Sequence, residues 1–574
     1  MPPVRLGLAV VASLLLVACQ DPGVGTSDDS QTSSSAAETT SETASSTQGC
    51  PVGSQGCVCT GGNGCDLGLT CNLETKLCEG GAGTSGSETT SPTLDQTGTS
   101  TTTDPPSTDS SGDTGGPECT ATGDGKESAA CMALDPHRPF CVDDVCVSCD
   151  SQGPDACMLG TGNQRPLCLA SGACGQCDTA GAVDAGQCEA TSPHCNLDTN
   201  MCEGCLEHSE CPATACKIAA RKCFPPDNII YVRQGSPKLP CEDVPGMGGG
   251  YENPYCDFEL ATAAALKGGA NDDYTIIARG NEEALGEGLT AVNIASGDGS
   301  VSFAFLHEPG MYQKHTQFVG IGPMITVPDN VTLYLNNFGV IVKNGVGDSS
   351  VGVSCSGGSV WLDDSRVLNG RGPNIRASDC DIHLRRSSVS FGATEGVDMT
   401  GGSLFAENSF ITSNSAKDGF GGGGVHLRGG ATVDMLYSTI VDNANEPSKG
   451  LGDSFQCDDP ATIKLRNSIL GRRPTGGNSS IVCPGSSLNI SWSAVDSKLE
   501  LNEGNNNKKM AAETVLSSLF VDNETGVFRV VQGNTEFTQV AQWKTGDPHF
   551  DYDMNDRNAV DGAADYCGGD VPTK

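Results

Sequence analysis

The chain has 574 residues, 30 cysteines and a formal net charge of -38. A surface this acidic excludes nucleic acid as a partner, because phosphates call for basic protein. The cysteine count excludes a fold built for a reducing compartment, where disulfides do not persist.

The first segment, MPPVRLGLAVVASLLLVAC, has a basic start at Arg5, an apolar run of signal-peptide length and small residues before Cys19. Leu16-Val17-Ala18-Cys19 resembles the lipobox of bacterial lipoproteins. The resemblance implies that residues 1–18 are a lipoprotein signal peptide and that Cys19 is acylated, palmitate included. A lipid anchor of more than one chain holds durably to a membrane. The alternative is an ordinary cleaved signal that leaves Cys19 for a disulfide. Gln20 in place of Asp implies the outer membrane, and the expected location is exported, lipid-anchored and surface-exposed.

Residues 19–48 are small and polar, with too little apolar surface to offset ordering entropy, and read as a disordered Ser/Thr-rich tether. Residues 49–79 hold Cys50, Cys57, Cys59, Cys65, Cys71 and Cys78, a small disulfide-stapled module similar to EGF-like modules in size and spacing. A second disordered linker, rich in Ser, Thr and Pro, spans 80–118. No later stretch is apolar enough to span a bilayer.

Residues 119–224 divide into four units of four cysteines, beginning at Cys119, Cys149, Cys177 and Cys205. A proline precedes the third cysteine by two residues in RPFC, RPLC and SPHC. The register creates Cys-x-x-Cys pairs at unit boundaries, Cys146 with Cys149, Cys174 with Cys177 and Cys202 with Cys205. In a reducing compartment these would suggest zinc. Here every cysteine belongs to the repeat, and His137, His194 and His208 lack ligand spacing, so a disulfide ladder is expected.

From Val331 onward a second repeat appears, in which apolar positions alternate and a serine or asparagine follows. It begins at Val331, Val360, Ile382, Leu404, Val433, Ile463 and Leu488, at spacings of 29, 22, 22, 29, 30 and 25. The two-residue rhythm is that of strands. A second apolar pair, such as Val397 and Met399 or Val425 and Leu427, precedes six of these starts, which gives two strands per repeat. Short strands joined by tight glycine- and asparagine-bearing corners, repeating every 22 residues or more, are the signature of a solenoid whose coils stack.

GGGGVHLRGGATVDMLYSTIVDN and GVDMTGGSLFAENSFITSN resemble coils of the right-handed parallel β-helix of the pectin-lyase-like superfamily. The resemblance covers about residues 227–567. It includes an entry with a first strand at IIYV, a capping helix around Leu260–Leu266 and a strand at Tyr274–Ala278. The fold class expected is therefore all-β, a β-helix preceded by disulfide-rich modules and disordered linkers. In that register Cys457 and Cys483 occupy the same inward position on neighbouring coils and should be bonded. Cys355 with Cys380 and Cys241 with Cys256 come next, and Cys567 is left over once Cys19 carries lipid. A Cys19–Cys567 bond would remove the lipoprotein reading.

Outward residues form columns. One reads Thr332, Trp361, His383, Phe405, Asp434, Lys464, Asn489, and the next Tyr334, Asp363, Arg385, Glu407, Leu436, Arg466, Ser491. Trp361, His383 and Phe405 could offer a platform for sugar rings, or simply pack on one another. Asp363, Asp364 and Arg385 are the candidate catalytic residues, since VWLDD resembles part of a pectate lyase strand and that family uses aspartate-bound calcium with an arginine base. The following histidine and the arginine, proline, arginine motif are missing, and the paired-aspartate and esterase patterns of related enzymes are missing too. Asp363 with Arg385, and Asp364 with Arg386, instead suit a neutral ladder of opposite charges.

Asp551, Asp553 and Asn555 lie at calcium-loop spacing, but Asp556 stands where an EF-hand has glycine and no glutamate closes the loop. A polar closing segment is expected there, with calcium the alternative. His426 and His549 read as isolated surface or turn residues. The expected function is a surface lipoprotein whose β-helix binds carbohydrate or a surface protein without catalysis. The alternatives are a polysaccharide lyase or glycoside hydrolase, and a structural envelope protein.

Overall fold

A computed structural model of the chain describes most of residues 127–572, together with the backbone of Leu69–Asn72 and Leu77–Gly80. The signal segment, Cys19, both linkers, most of the 49–79 module and Cys119 lie outside the described residues. The chain divides into two units, Met1–Ser111 and Gly112–Lys574. In the first, Leu69–Asn72 and Leu77–Gly80 pair antiparallel with Cys71 opposite Cys78.

The second unit begins with the cysteine modules. Their bonds join the first cysteine to the third and the second to the fourth: Cys149–Cys168 with Cys157–Cys174, Cys177–Cys195 with Cys188–Cys202, and Cys205–Cys216 with Cys211–Cys223. Cys131–Cys146 follows the same rule in the first module. Each Cys-x-x-Cys pair is thereby split between adjacent modules, and its sulfurs are spent on disulfides. A short antiparallel pair, such as His194–Asn196 with Met201–Glu203, supports each crossing.

The rest is a right-handed parallel β-helix of three sheets, ten, eight and nine strands long among the described residues. Asp381–Arg385, Phe410–Thr412 and Val425–Arg428 represent the first, third and second sheets in the order the chain visits them. Inward residues stack in register, Val360 on Ile382 on Leu404 on Val433, and all are buried. No coil could shield these alone, and neighbours about 4.8 Å away complete both the ladder and the core. The helix Phe258–Gly268 plugs the entry end, with the Phe258 ring against Phe305, Phe318 and Phe338.

The sequence template shows only two of the three sheets. Its last apolar position, Val367, Val389, Ile411 or Ile440, is the single inward residue of a three-residue strand in the third sheet. A strand that short displays no alternation. The template also misplaces one coil: Leu333, not Val331, pairs with Val360, and Tyr334, not Thr332, stands beside Trp361. Val331, Leu333 and Leu335 are all apolar and buried, so a two-residue slip leaves the pattern unchanged.

The corner between the first and third sheets takes two residues. The first adopts positive φ in every coil from Asn337 (62°) through Arg386 (45°) and Tyr437 (48°) to Trp492 (52°). The second is usually a buried serine. Ser365 N–H donates to Ser387 Oγ at 3.0 Å, Ser387 N–H to Ser409 Oγ at 3.1 Å and Ser438 N–H to Ser468 Oγ at 3.1 Å. These hydroxyls satisfy buried amides that leave the strand ladder at the bend. At another corner Asn374, Asn414 and Asn443 form an amide ladder, with links of 2.9 and 3.0 Å.

Residues beyond about 510 fold back over the third sheet. Phe410, Tyr437, Val441 and Ile469 face outward there and join Phe520, Phe528, Phe537 and Trp543 in a second apolar core, which also encloses the free thiol of Cys567. Arg557 lies 3.9 Å from the Tyr437 ring centre and donates to Asn408 Oδ1, fastening the segment down.

Candidate binding face

The outward column of the first sheet reads Ala304, Tyr334, Trp361, His383, Phe405, Asp434, Lys464 and Asn489. Four rings in succession therefore stack along the solenoid axis. Trp361 and His383 lie 3.6 Å apart and 5° from parallel, His383 and Phe405 4.7 Å and 13°, and Tyr334 and Trp361 5.6 Å and 23°. Burial pushes the His383 imidazole down to about 4, so it is neutral and stacks as an aromatic ring.

This geometry changes what a platform can be. Rings on successive rungs cover one another's faces and turn only their edges outward, so Trp361 and His383 have no free face for a sugar. Phe405 is the last ring, 42% exposed, and its far face looks toward Asp434. The Asp434 carboxylate and the Lys464 ammonium lie 4.0 Å apart and are more than half exposed. An apolar ring face beside a carboxylate and an ammonium can hold a pyranose ring by its flat side while pairing its hydroxyls.

The second column reads Asn336, Asp363, Arg385, Glu407, Leu436, Arg466 and Ser491. Arg385 Nε donates to Asp363 Oδ1 at 2.8 Å and Arg386 Nε to Asp364 Oδ1 at 2.8 Å. Asp363 is buried. Burial works to raise its carboxyl, but the Arg385 and Arg386 guanidiniums outweigh that and hold it below the usual carboxylate range. Burial raises Asp364 and Glu407. Asp363 and Asp364 are thus each held by an arginine of the next rung.

The network is sealed by the last cysteine module, which the sequence did not connect to this sheet. Glu207 Oε2 accepts from Arg385 Nη2 and Arg386 Nη2, both at 2.8 Å, and the Leu206 carbonyl accepts from Arg385 Nη1 at 2.8 Å. Phe224 and Ala215 pack on Tyr334 and Ala304, and Lys217 pairs with Asp273 at 3.0 Å. His208 is buried in the contact, and burial pushes it down to about 4. A partner more than 150 residues away in the chain leaves no local signal in the motif it covers.

The remaining site residues fall as follows. Cys457–Cys483, Cys355–Cys380 and Cys241–Cys256 are disulfide-bonded. Asp551 is buried and accepts from the Asp553, Asn555 and Val571 amides at 2.9, 2.8 and 2.8 Å, while Asp553 pairs with Arg529. The calcium-like spacing thus makes a turn whose oxygens are spent on the chain's own N–H groups and on an arginine. His549 is exposed beside Trp543. His426 is not a surface residue. It is buried on the second sheet, with Nε2 3.0 Å from Asp458, and Nδ1 3.5 Å from Asp398 and 3.9 Å from Glu395. Burial opposes its charge, but the hydrogen bond to Asp398 and the charge of Asp458 outweigh it and hold the imidazole above its usual range.

The profile of a family of unknown function (DUF8331) matches residues 113–229, the span of the four cysteine modules. No curated protein matches the chain. The crystal structure of the pectate lyase Pel9A is similar over 59% of this chain and 98% of that one, at 13% identity and a TM-score of 0.31.

Proposed function

We propose that this protein is an exported lipoprotein, anchored through Cys19 at the outer membrane, whose β-helix binds carbohydrate at the cell surface without cleaving it. The observation that carries the reading is the open face of Phe405 above Asp434 and Lys464, on a sheet whose other rings are mutually covered. Non-catalytic binding is favoured because Asp363 and Arg385, the acid and base candidates, hold each other and are buried under the last cysteine module.

The test is retention of the purified chain on a panel of neutral and acidic polysaccharides, with and without calcium. Phe405→Ala is expected to weaken retention at least about fivefold, consistent with the loss of one aromatic stacking contact of about 1–3 kcal/mol. Product release that vanishes in Asp363→Ala would reject the binder in favour of the lyase or hydrolase. Undiminished retention by Phe405→Ala would reject this face.

A further inference from the structure

Three features of the contact between the last cysteine module and the first sheet go beyond what the Phe405 site requires. First, both sides hold together without each other. The module carries its own two disulfides, Cys205–Cys216 and Cys211–Cys223. On the sheet, Arg385 keeps Asp363 and Arg386 keeps Asp364 whether or not Glu207 is present. Lifting the module therefore leaves no bare charge buried in the β-helix, the event that makes breaking most buried ion pairs costly.

Second, the contact is imperfectly matched. The Cys216 amide donates to His208 Nδ1 at 3.1 Å, which fixes the proton of the neutral ring on Nε2. That Nε2 is buried without a hydrogen-bond partner and points toward Asp363 Oδ2 at 3.9 Å, beyond hydrogen-bond reach. Three carboxylates, Glu207, Asp363 and Asp364, share the guanidiniums of Arg385 and Arg386, and burial raises Glu207 as well. An unmet buried donor and a surplus of acid both lower the cost of opening this joint.

Third, what the module covers continues the binding face. Beneath it lie Tyr334 and the partly buried Trp361, the two rings that precede His383 and Phe405 in the same column. The face of Tyr334 turned away from Trp361 looks toward Ala304, which is too small to cover it, so without the module the column would present a second open ring face at this end.

We propose that residues 205–223 are an autoinhibitory cover: docked, the module confines the ligand to the Phe405 end, and lifted, it opens the Tyr334–Trp361 end of the same column. The ligand rests on the carbohydrate reading above, but the movement does not. Lifting breaks the Glu207 contacts with Arg385 and Arg386, the Lys217–Asp273 pair and the hydrogen bond from the Ala215 amide to Thr275 Oγ1.

The test uses the full chain and two independent variants, Glu207→Lys, which sets an ammonium against both arginines, and Asp273→Lys, which repels Lys217. Amide hydrogen exchange is read by mass spectrometry without ligand. Both variants are expected to speed exchange at least tenfold in 205–223 and to leave 425–441, two rungs beyond Arg385 along the first sheet, unchanged. Unchanged exchange in 205–223 would overturn the proposal. So would faster exchange at 425–441, since the module would then be part of the core. In a second arm, whichever polysaccharide the wild-type chain retains is expected to bind Glu207→Lys at least tenfold more tightly, and equal affinity would refute inhibition. Retention by neither chain would refute the binding face and inhibition together, while the exchange arm would still report whether the module lifts.

Discussion

Asn414→Ala tests whether the amide ladder at the corner is a main support of the solenoid. Asn414 is fully buried, and its side chain makes four hydrogen bonds. Its Oδ1 accepts from Asn374 Nδ2 and the Gly392 amide, both at 2.9 Å, and its Nδ2 donates to the Val389 carbonyl and to Asn443 Oδ1, both at 3.0 Å. After truncation Asn374 Nδ2 still reaches the Ser390 carbonyl, and Asn443 Oδ1 still accepts from the Asn414 amide. The buried Gly392 amide loses its acceptor. One orphaned donor costs about 1–3 kcal/mol, and the other lost bonds add roughly 0.5–1.5 kcal/mol each, reduced where a partner survives. A total of about 3–5 kcal/mol is expected. Urea denaturation of the full chain, followed by the β-sheet circular dichroism signal, reads it as a lower midpoint, with the outward Asn489→Ala as a control expected within about 0.5 kcal/mol of wild type. A loss below about 1 kcal/mol for Asn414→Ala would refute the ladder as a support.

Leu404→Ala, at a fully buried inward position, should lower stability by about 2–5 kcal/mol, whereas Leu488→Ala, at the equivalent position of the last rung but 37% exposed, should cost well under half of that in the same denaturation experiment. Replacing Cys457 and Cys483 together by serine removes a bond that closes a 26-residue separation and should cost about 2–4 kcal/mol, read as a lower melting temperature; no change would show that stacking alone sets the register. His426 has a folded value above its unfolded one, so its contribution is complete below about pH 6.5 and is lost as pH rises through the raised value. Glu395, raised by burial, acts in the same direction, and the Asp398 carboxylate stays charged throughout that window. Stability should therefore fall as pH rises above about 6.5, and His426→Gln should flatten that fall; an identical slope in the variant would rule His426 out as its source.

The first and second sheets were legible because each inward pair repeats at a fixed place relative to a serine corner, and the same register carried Cys457 to Cys483. The third sheet was not legible, since a strand with one inward residue has no period to detect. The slip at Val331 arose because three apolar residues in alternation fit two registers equally well; in the fold Leu333 pairs with Val360, and the Phe338 amide donates to Ser365 Oγ at 3.1 Å. Of the candidate site, the ring column was visible as a list of residues. Its meaning was not, because whether stacked rings present faces or edges depends on the axis along which they stack. His426 looked isolated in sequence because Glu395, Asp398 and Asp458 come from other coils and loops. Glu207 and His208 belong to a module whose cysteines gave it a separate identity.

The left-handed residue at the corner of the first and third sheets has a consequence for how this solenoid can be altered. Asn tolerates that backbone, as at Asn337, Asn408 and Asn467, but Arg386, Tyr437 and Trp492 adopt it too, against their own preference. At Arg386 and Tyr437 the side chain is what fastens a flanking segment, the cysteine module in one case and the C-terminal wrap in the other. This edge therefore works as a mounting rail of constant length. The growth from 22 to as many as 30 residues per turn is absorbed at the other bends, between Thr412 and Val425 or Val441 and Phe455. A peptide tag grafted there would leave the rail in register, whereas one residue added to the rail would unseat everything hung from it.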